Sequence, residues 1–392
     1  MINRACELVR NHNRVLVLQP TRELIDRTVK EEVPALANPS QVRVFHRGTV
    51  GDGNVSKALA DYVREAPEIP EIVLATHQVL PHVKHFGNKG EWHVLVDEAL
   101  QAVRYQQHRI PKTHKLITDH LDVTRVNAVY GRVSVRGTAL HDIGKNQDQD
   151  EILETLADTS RILANRHWAS FVNLEQYDRL KRGEGKMLAF HSVLKPEILA
   201  GFAEVSMSGA NFEDSAIFKL WGSEGVEFEP DRDFAKGLRY SEHPNGDLVT
   251  VHYVTEQQWS RKRREAPVGD DGSQIQDRMI QAAKEVFPSG RFVWHANKSL
   301  IDDPFGLPAE RLPNKPHGLN SFAGFHDIVF LSSLNPATDH FRFLRSRGLS
   351  GGEVRGFTYF AEAYQAILRT SLRDPANRQP KRILVPDRGL AE

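Results

Sequence analysis

The sequence holds a single cysteine, Cys6, in 392 residues. That excludes a disulfide framework and any cysteine-based zinc cluster, and it makes a reducing, cytoplasmic compartment the default expectation. No apolar run approaches the ~20 residues that span a bilayer, and no signal peptide is read at the N-terminus, so no membrane partner is expected. Charge of either sign is not in excess. The 51 basic side chains balance 51 acidic ones, so attraction to a polyanion must come from local patches. No G-x-x-x-x-G-K-S/T string occurs anywhere. The nearest, Gly183-Glu184-Gly185-Lys186-Met187, lacks the first glycine and the final hydroxyl. Repeats and low-complexity tracts of consequence are also missing.

What is present is a rhythm. Short apolar runs at Val15-Leu18, Val42-Phe45, Ile72-Ala75 and Val94-Val96 are rich in β-branched residues and alternate with helix-like stretches such as Ser56 to Glu65. Continuous apolar strands separated by helices predict a parallel sheet covered on both faces. The opening differs: Ile2, Ala5, Cys6 and Val9 have helical spacing, so the chain starts inside an amphipathic helix with no strand before it. Residues 101–185 are less regular and read as an insertion, with a helical stretch from Glu151 to Leu180. The rhythm returns with Met187-Val193, a helix from Pro196 and a strand Ala203-Ser208. A polar, Gly/Pro-rich stretch at 223–247 reads as a linker. Beyond it come Leu248-Val254, a helix Ser273 to Phe287, Arg291-His295, Asp327-Ser332, helices Ala337-Arg347 and Thr358-Leu372, and a last strand Ile383-Val385. The expectation is two α/β domains, 1–222 and 248–392, at ~150 residues per domain.

Five motifs sit where open α/β sheets place ligands, at strand ends. Pro20-Thr21-Arg22-Glu23-Leu24 follows the first run, and Asp97-Glu98-Ala99-Leu100 follows Val94-Val96. Paired carboxylates at a buried strand's exit suit a nucleotide site, with Asp97 holding Mg²⁺ and Glu98 orienting or deprotonating water. They equally suit the cap of a following helix. Ser206-Met207-Ser208 closes another strand, and His317-Gly318-Leu319-Asn320 precedes Asp327-Ser332. In the fifth, Gln365, Arg369 and Arg373 are four apart and share one face if helical, from which two arginines reach a phosphate.

Taken together in this order, the motifs resemble superfamily 2 helicases and translocases, DEAD/DEAH-like enzymes with two RecA-like domains closing on ATP. Pro20 to Leu24 resembles motif Ia and Asp97 to Leu100 the DExx, or Walker B, motif. Ala75-Thr76-His77 lies where the family has a nucleic-acid-contacting segment. Ser206-Met207-Ser208 is similar to motif III, Gly318-Leu319-Asn320 to motif V, and Gln365 to Arg373 to motif VI. The resemblance implies two RecA-like parallel-sheet domains, ATP and Mg²⁺ as cofactors, and nucleic acid as partner, DNA ahead of RNA. It further implies nucleic-acid contacts by Thr21, Arg22, Thr76 and His77, coupling by Ser206 and Ser208, nucleotide contacts by Asp97, Gly318 and Asn320, and an arginine finger at Arg369 or Arg373.

Against the family pattern, the phosphate loop is missing. The opening helix matches the remainder of the helix that follows such a loop, so the expectation is a first domain lacking its initial strand and that loop. Without the loop's N–H cradle and lysine, Asp97, Glu98 and Arg369 act on a phosphate that nothing holds, and little ATPase activity is expected. In motif VI, Leu368 stands where the family has glycine, and the last arginine comes one residue late.

Three basic stretches are candidates for gripping single strands, each equally readable as a solvated face. They are Arg104 to Arg136 with Tyr105 and Tyr130, Arg261-Lys262-Arg263-Arg264 beside Trp259, and the tail Arg369 to Arg388. A different class of function is suggested by His141-Asp142-Ile143-Gly144-Lys145, which looks like the signature of HD-type metal phosphohydrolases. His108, His114 or His120 and Asp148, Asp150 or Asp158 would complete it. A third class is a non-catalytic nucleic-acid-binding module.

Overall fold

The computed structural model describes residues 1–36, 38, 41–51, 53–65, 69–237, 244–268, 270, 272–314 and 321–392, and all that follows concerns these. They form two compact units, Met1–Pro230 with Arg342–Gly348, and Asp231–Phe341 with Leu349–Glu392. The return of 342–348 to the first unit has no counterpart in the linear domain boundaries expected from sequence.

Strands are numbered along the chain. In the first unit, β1 (Arg14–Gln19), β2 (Val42–Phe45), β3 (Ile72–Thr76), β4 (Trp92–Asp97) and β10 (Glu204–Ser208) form a wholly parallel sheet in the order β10-β4-β1-β3-β2. β1 is buried along its whole length, as its unbroken apolar run predicts. Even Arg14 is enclosed, its guanidinium bonded to Glu71 at 3.0 Å and lying 4.1 Å over the Trp92 ring. Helix Ile2–Arg10 buries Ile2, Ala5, Cys6 and Val9 against β1 and β3, the stripe its spacing predicts.

The insertion between β4 and β10 is an antiparallel sheet of its own, which corrects two expectations. Strands β5 (Val103–Arg109), β6 (Leu121–Arg125), β7 (Tyr130–Val135), β8 (Trp168–Asn173) and β9 (Met187–Leu194) are ordered β5-β9-β8-β7-β6. Met187-Val193 therefore belongs to this sheet and not to the parallel one. The helix expected from Glu151 to Leu180 is two helices, Glu151–Leu163 and Leu174–Lys181, with β8 between them. The cause is local. Asn165 takes the His167 N–H on its side-chain oxygen and anchors its amide on the Pro81 carbonyl, turning the chain before the strand-favouring Trp168-Ala169-Ser170-Phe171-Val172. The helix expected from Pro196 is a single 3₁₀ turn, Pro196–Ile198. His191 is fully buried between Tyr105 and Phe343, 5.2 and 4.6 Å from the two rings.

In the second unit, β11 (Val249–Thr255), β12 (Val293–His295), β13 (Glu310–Arg311), β14 (Asp327–Phe330) and β15 (Lys381–Asp387) form a second wholly parallel sheet, ordered β11-β15-β14-β12-β13. Its core gathers Trp259, Phe287, Trp294, Phe330 and Tyr359. The α/β architecture with two parallel sheets is thus as expected, as is a last strand around Ile383-Val385, but the basic residues that lead into it are not a solvated face. β15 is an interior strand, with Lys381 buried and Arg382 paired to Asp327. The expected helix Thr358-Leu372 is also shorter. A π-helical turn Gly356–Phe360 leads into helix Ala361–Ile367, which stops there. Thr370 bonds its hydroxyl to the Ile367 carbonyl, and the Ser371 N–H is drawn to Phe325 O at the entry to β14.

Candidate nucleotide and nucleic-acid site

Parallel pairing brings the predicted residues of the first unit into one row. Gln19 is in register with Thr76, and Ser208 with Asp97, while Leu18 of β1 faces Val96 of β4. Thr76, Gln19, Asp97 and Ser208 therefore stand side by side where four parallel strands end, the edge at which such sheets bind ligands. Gln19 is buried and organises the row. Its side-chain amide donates to Asp97 Oδ2 at 3.1 Å and to the Thr28 hydroxyl at 3.2 Å, and its main-chain carbonyl takes the His77 main-chain N–H at 3.0 Å. Burial pushes the Asp97 carboxyl above its usual value of 3.8, the Gln19 bond opposes that rise, and the neighbouring Glu98 charge adds to it.

Glu98 itself has a left-handed backbone, φ +69°, and gives its N–H to Ser208 O at 2.6 Å. A non-glycine residue held there costs on the order of 1 kcal/mol and persists only where neighbours enforce it. Here the enforcing neighbour is the end of β10. Instead of continuing as a helix cap, the chain turns sharply after Asp97, so the capping reading of the Asp-Glu pair does not hold.

Asp97 fits Mg²⁺ as one carboxylate ligand. The cation would favour the ionised form that burial opposes, and Mg²⁺ ordinarily completes its shell with phosphate oxygens and water. Among the described residues no three His, Cys, Asp or Glu converge as a metal-binding group.

Thr21 and Arg22 begin the helix Arg22–Arg27. The Thr21 hydroxyl accepts the Leu24 N–H as the N-cap, which leaves its own proton free to be donated. Arg22 is exposed and bonds Asp26 at 3.3 Å. Asp26 also meets His46 Nε2 at 2.9 Å, and His46 Nδ1 accepts the Gly48 N–H at 3.0 Å. With Nδ1 accepting, Nε2 carries the proton and donates to Asp26. The guanidinium of Arg22 lies close over Gly48, whose missing side chain makes the room.

Sequence reasoning missed Gln19, Asp26, His46 and Gly48. Gln19 had a signal, a polar residue ending an otherwise apolar strand. The other three are joined only by the fold.

In the second unit Gln365, Arg369 and Arg373 do not share a helical face, because the helix ends at Ile367. Arg369 is buried in the turn that follows and donates to Gln365 Oε1 at 3.0 Å, and Arg373 lies in the 3₁₀ turn Ser371–Arg373. Gly318 and Asn320 lie outside the described residues. The end of this sheet carries another polar cluster. Asn297 accepts Arg264 Nη1 at 2.8 Å and the Ser333 N–H at 2.7 Å, and His295 meets the Ser332 hydroxyl at 2.9 Å. Burial pushes His295 down to about 4, so it is neutral at physiological pH.

Two of the three aromatic partners proposed for the basic stretches are enclosed. Trp259 is buried and donates to Leu331 O, Tyr130 is buried, and Tyr105 stacks on His191. Trp259 and Tyr130 are thus not presented to bases, and half-buried Tyr105 already has its ring stacked. Of the run Arg261 to Arg264, Arg261 and Arg264 pair with Glu265 and Arg263 bonds Gln257. In the HD-like string, His141 and Asp142 are exposed on helix Ala139–Lys145, His108 bonds Thr159, and His114 bonds Thr118.

No protein-family model matches the sequence, and no curated protein does. Among solved structures the chain is similar to an XPD helicase, at 10% identity, 100% of this chain, 95% of that chain and a TM-score of 0.43. It is also similar to Xpd4 of S. tokodaii, at 11% identity, 98% and 88% coverage and a TM-score of 0.45. The DUF1998 helicase MrfA, solved bound to DNA and AMPPNP, matches at 12% identity, 97% and 43% coverage and a TM-score of 0.36.

Proposed function

We propose that this chain is the core of a superfamily 2 helicase or translocase that binds single-stranded nucleic acid and by itself hydrolyses ATP weakly or not at all. The observation that carries the reading is the row Thr76–Gln19–Asp97–Ser208. It gathers Thr76, Asp97 and Ser208, from three motifs far apart in the sequence, onto adjoining strand ends around Gln19, with Thr21 and Arg22 on the next turn of chain. In this reading Asp97 is the Mg²⁺ ligand and Glu98 orients water, while Thr21 and Arg22 hold phosphates of the strand. Phosphoryl transfer needs a phosphate cradle as well as these groups, and the sequence contains no phosphate-loop string.

The test has two arms. Oligonucleotides of DNA and RNA are titrated across a salt series, and ATP with Mg²⁺ is titrated by calorimetry. Binding of single strands that weakens steeply with salt, and is lowered by Arg22→Ala, is the expected result. Salt-insensitive binding, or binding indifferent to Arg22, overturns the nucleic-acid assignment. Micromolar ATP affinity overturns the assignment of weak hydrolysis. The HD-type reading gains nothing from the geometry, since His141 and Asp142 are exposed and, among the described residues, no three His, Cys, Asp or Glu converge as a metal-binding group.

A further inference from the structure

Six strands among the described residues end a sheet, and five carry the usual protection against pairing with another chain. β2 has four residues and an exposed arginine, Arg43; β10 begins on the exposed Glu204; β13 has two residues. β5 carries Arg104 and Arg109, and β6 carries Asp122 and Arg125. β11 has none of these devices. Its seven residues, Val249-Thr250-Val251-His252-Tyr253-Val254-Thr255, include no acidic residue, lysine, arginine, proline or glycine. One side pairs with β15, and no other strand among the described residues pairs with it. Thr250 is exposed, and Val251 and Tyr253 are 39% and 42% exposed, so the strand is open to solvent on its faces as well.

We propose that β11 pairs antiparallel with β11 of a second copy of this chain, about a two-fold axis at His252. The sequence is complementary to itself in that register. Val249 faces Thr255, Thr250 faces Val254 and Val251 faces Tyr253, all β-branched or aromatic pairs that stabilise neighbouring strands, and no acid, lysine or arginine is set against its like. The same lack of charge leaves nothing on the strand to select a charged partner. The pairing also closes. It joins two five-stranded sheets into one of ten, whose outer strands are both β13, too short at two residues to recruit a third copy. One strand pair is a small interface, so a dissociation constant roughly in the micromolar range is expected.

Sedimentation equilibrium of the full chain over a dilution series reads the dimer directly. Thr250→Lys places a cation on the open edge at an exposed position. It is expected to weaken dimerisation about tenfold or more while leaving the thermal unfolding curve in place. Register is read by cross-linking. His252→Cys sits on the axis and is expected to form an interchain disulfide under mild oxidation, whereas Thr250→Cys, facing the partner subunit's Val254, is not. Buried Cys6 is the only other thiol. A monomer at every concentration overturns the proposal, including the case in which the edge takes a strand from a different protein. So does a dimer indifferent to Thr250→Lys, or equal cross-linking at the two positions.

Discussion

Replacing Gln19 with leucine isolates what holds Asp97 in its row. The side chains are similar in size, and Gln19 is buried, so the change removes two hydrogen bonds without opening a cavity. A bond to a charged acceptor contributes about 1.5–3 kcal/mol and a neutral one about 1 kcal/mol. The added apolar contact of leucine offsets about 1 kcal/mol, leaving a net loss of about 2 kcal/mol at neutral pH. The pH dependence separates this cause from simple packing. Burial has raised the folded carboxyl of Asp97 above its unfolded value of 3.8. Below 3.8 both states hold the proton, and as pH rises the unfolded chain releases it first, so stability falls until the folded carboxyl ionises. The Gln19 bond lowers the folded value; without it the fall is deeper and extends to higher pH. Urea unfolding of wild type and Gln19→Leu at about pH 5 and about pH 8 is expected to show the wider gap at the higher pH. Asp97→Asn, which keeps an oxygen for Gln19 and drops the buried charge, is expected to stabilise at the higher pH and to gain nothing once the pH is below 3.8. Equal gaps at the two pH values, or a destabilising Asp97→Asn at neutral pH, would refute the account of this carboxylate.

Other perturbations follow from contacts elsewhere. Gly48→Ala places a Cβ 2.8 Å from Arg22 Cζ; the movable guanidinium yields, so the melting curve stays within about 0.5 kcal/mol of wild type while single-strand affinity falls toward that of Arg22→Ala. Gly131→Ala brings a Cβ to 2.5 Å from Val123 Cγ1 and 2.8 Å from Leu174 Cδ2, and its overpacking is expected to cost about 1–3 kcal/mol in urea unfolding. Asp387→Ala strips the buried carboxylate that accepts Trp259 N–H at 2.6 Å and pairs with buried Arg355. An orphaned buried guanidinium costs about 3–5 kcal/mol, seen as early loss of hydrogen-exchange protection in β15 and β14; late loss would mean that Arg355 finds another partner.

The parallel sheets were legible because their strands are unbroken apolar runs, and period is what sequence shows best. β1, β3 and β4 differ from the expected runs by a residue or two at either end. The insertion was legible as an interruption of the rhythm, but its antiparallel sheet was not. β9 is as apolar as any parallel strand, and nothing in Met187-Val193 tells whether its neighbours run with or against it. Direction is decided by β8 and β5, on either side in space. The helix after Glu151 was overextended because Leu156, Ile162, Leu163, Tyr177 and Leu180 keep helical spacing across a turn made by one asparagine side chain. The tail was legible in part: the strand expected at Ile383-Val385 is there, while the place of its basic residues was not. Lys381 and Arg382 look like a solvated basic end, yet Lys381 gives its ammonium to Asn377 and Gln379 carbonyls and Arg382 meets Asp327. Charge counted along a chain does not say whether fixed acceptors wait for it.

The same distinction orders the candidate site. Asp97 and Thr21 were found because their chemistry is local, an acid at a strand end and a hydroxyl before a helix. Gln19 was passed over although it touches more of the row than either, because its role exists only once β1 lies between β3 and β4. A buried amide that gives one proton to an acid and another to a hydroxyl fixes where the acid points, which matters to a cation more than the acid's mere presence does. An aspartate whose charge burial disfavours, at a strand exit bent into the left-handed region, is not the arrangement that stability alone would select. That excess cost at two consecutive residues, Asp97 and Glu98, is the physical support for the site proposed at the end of β4.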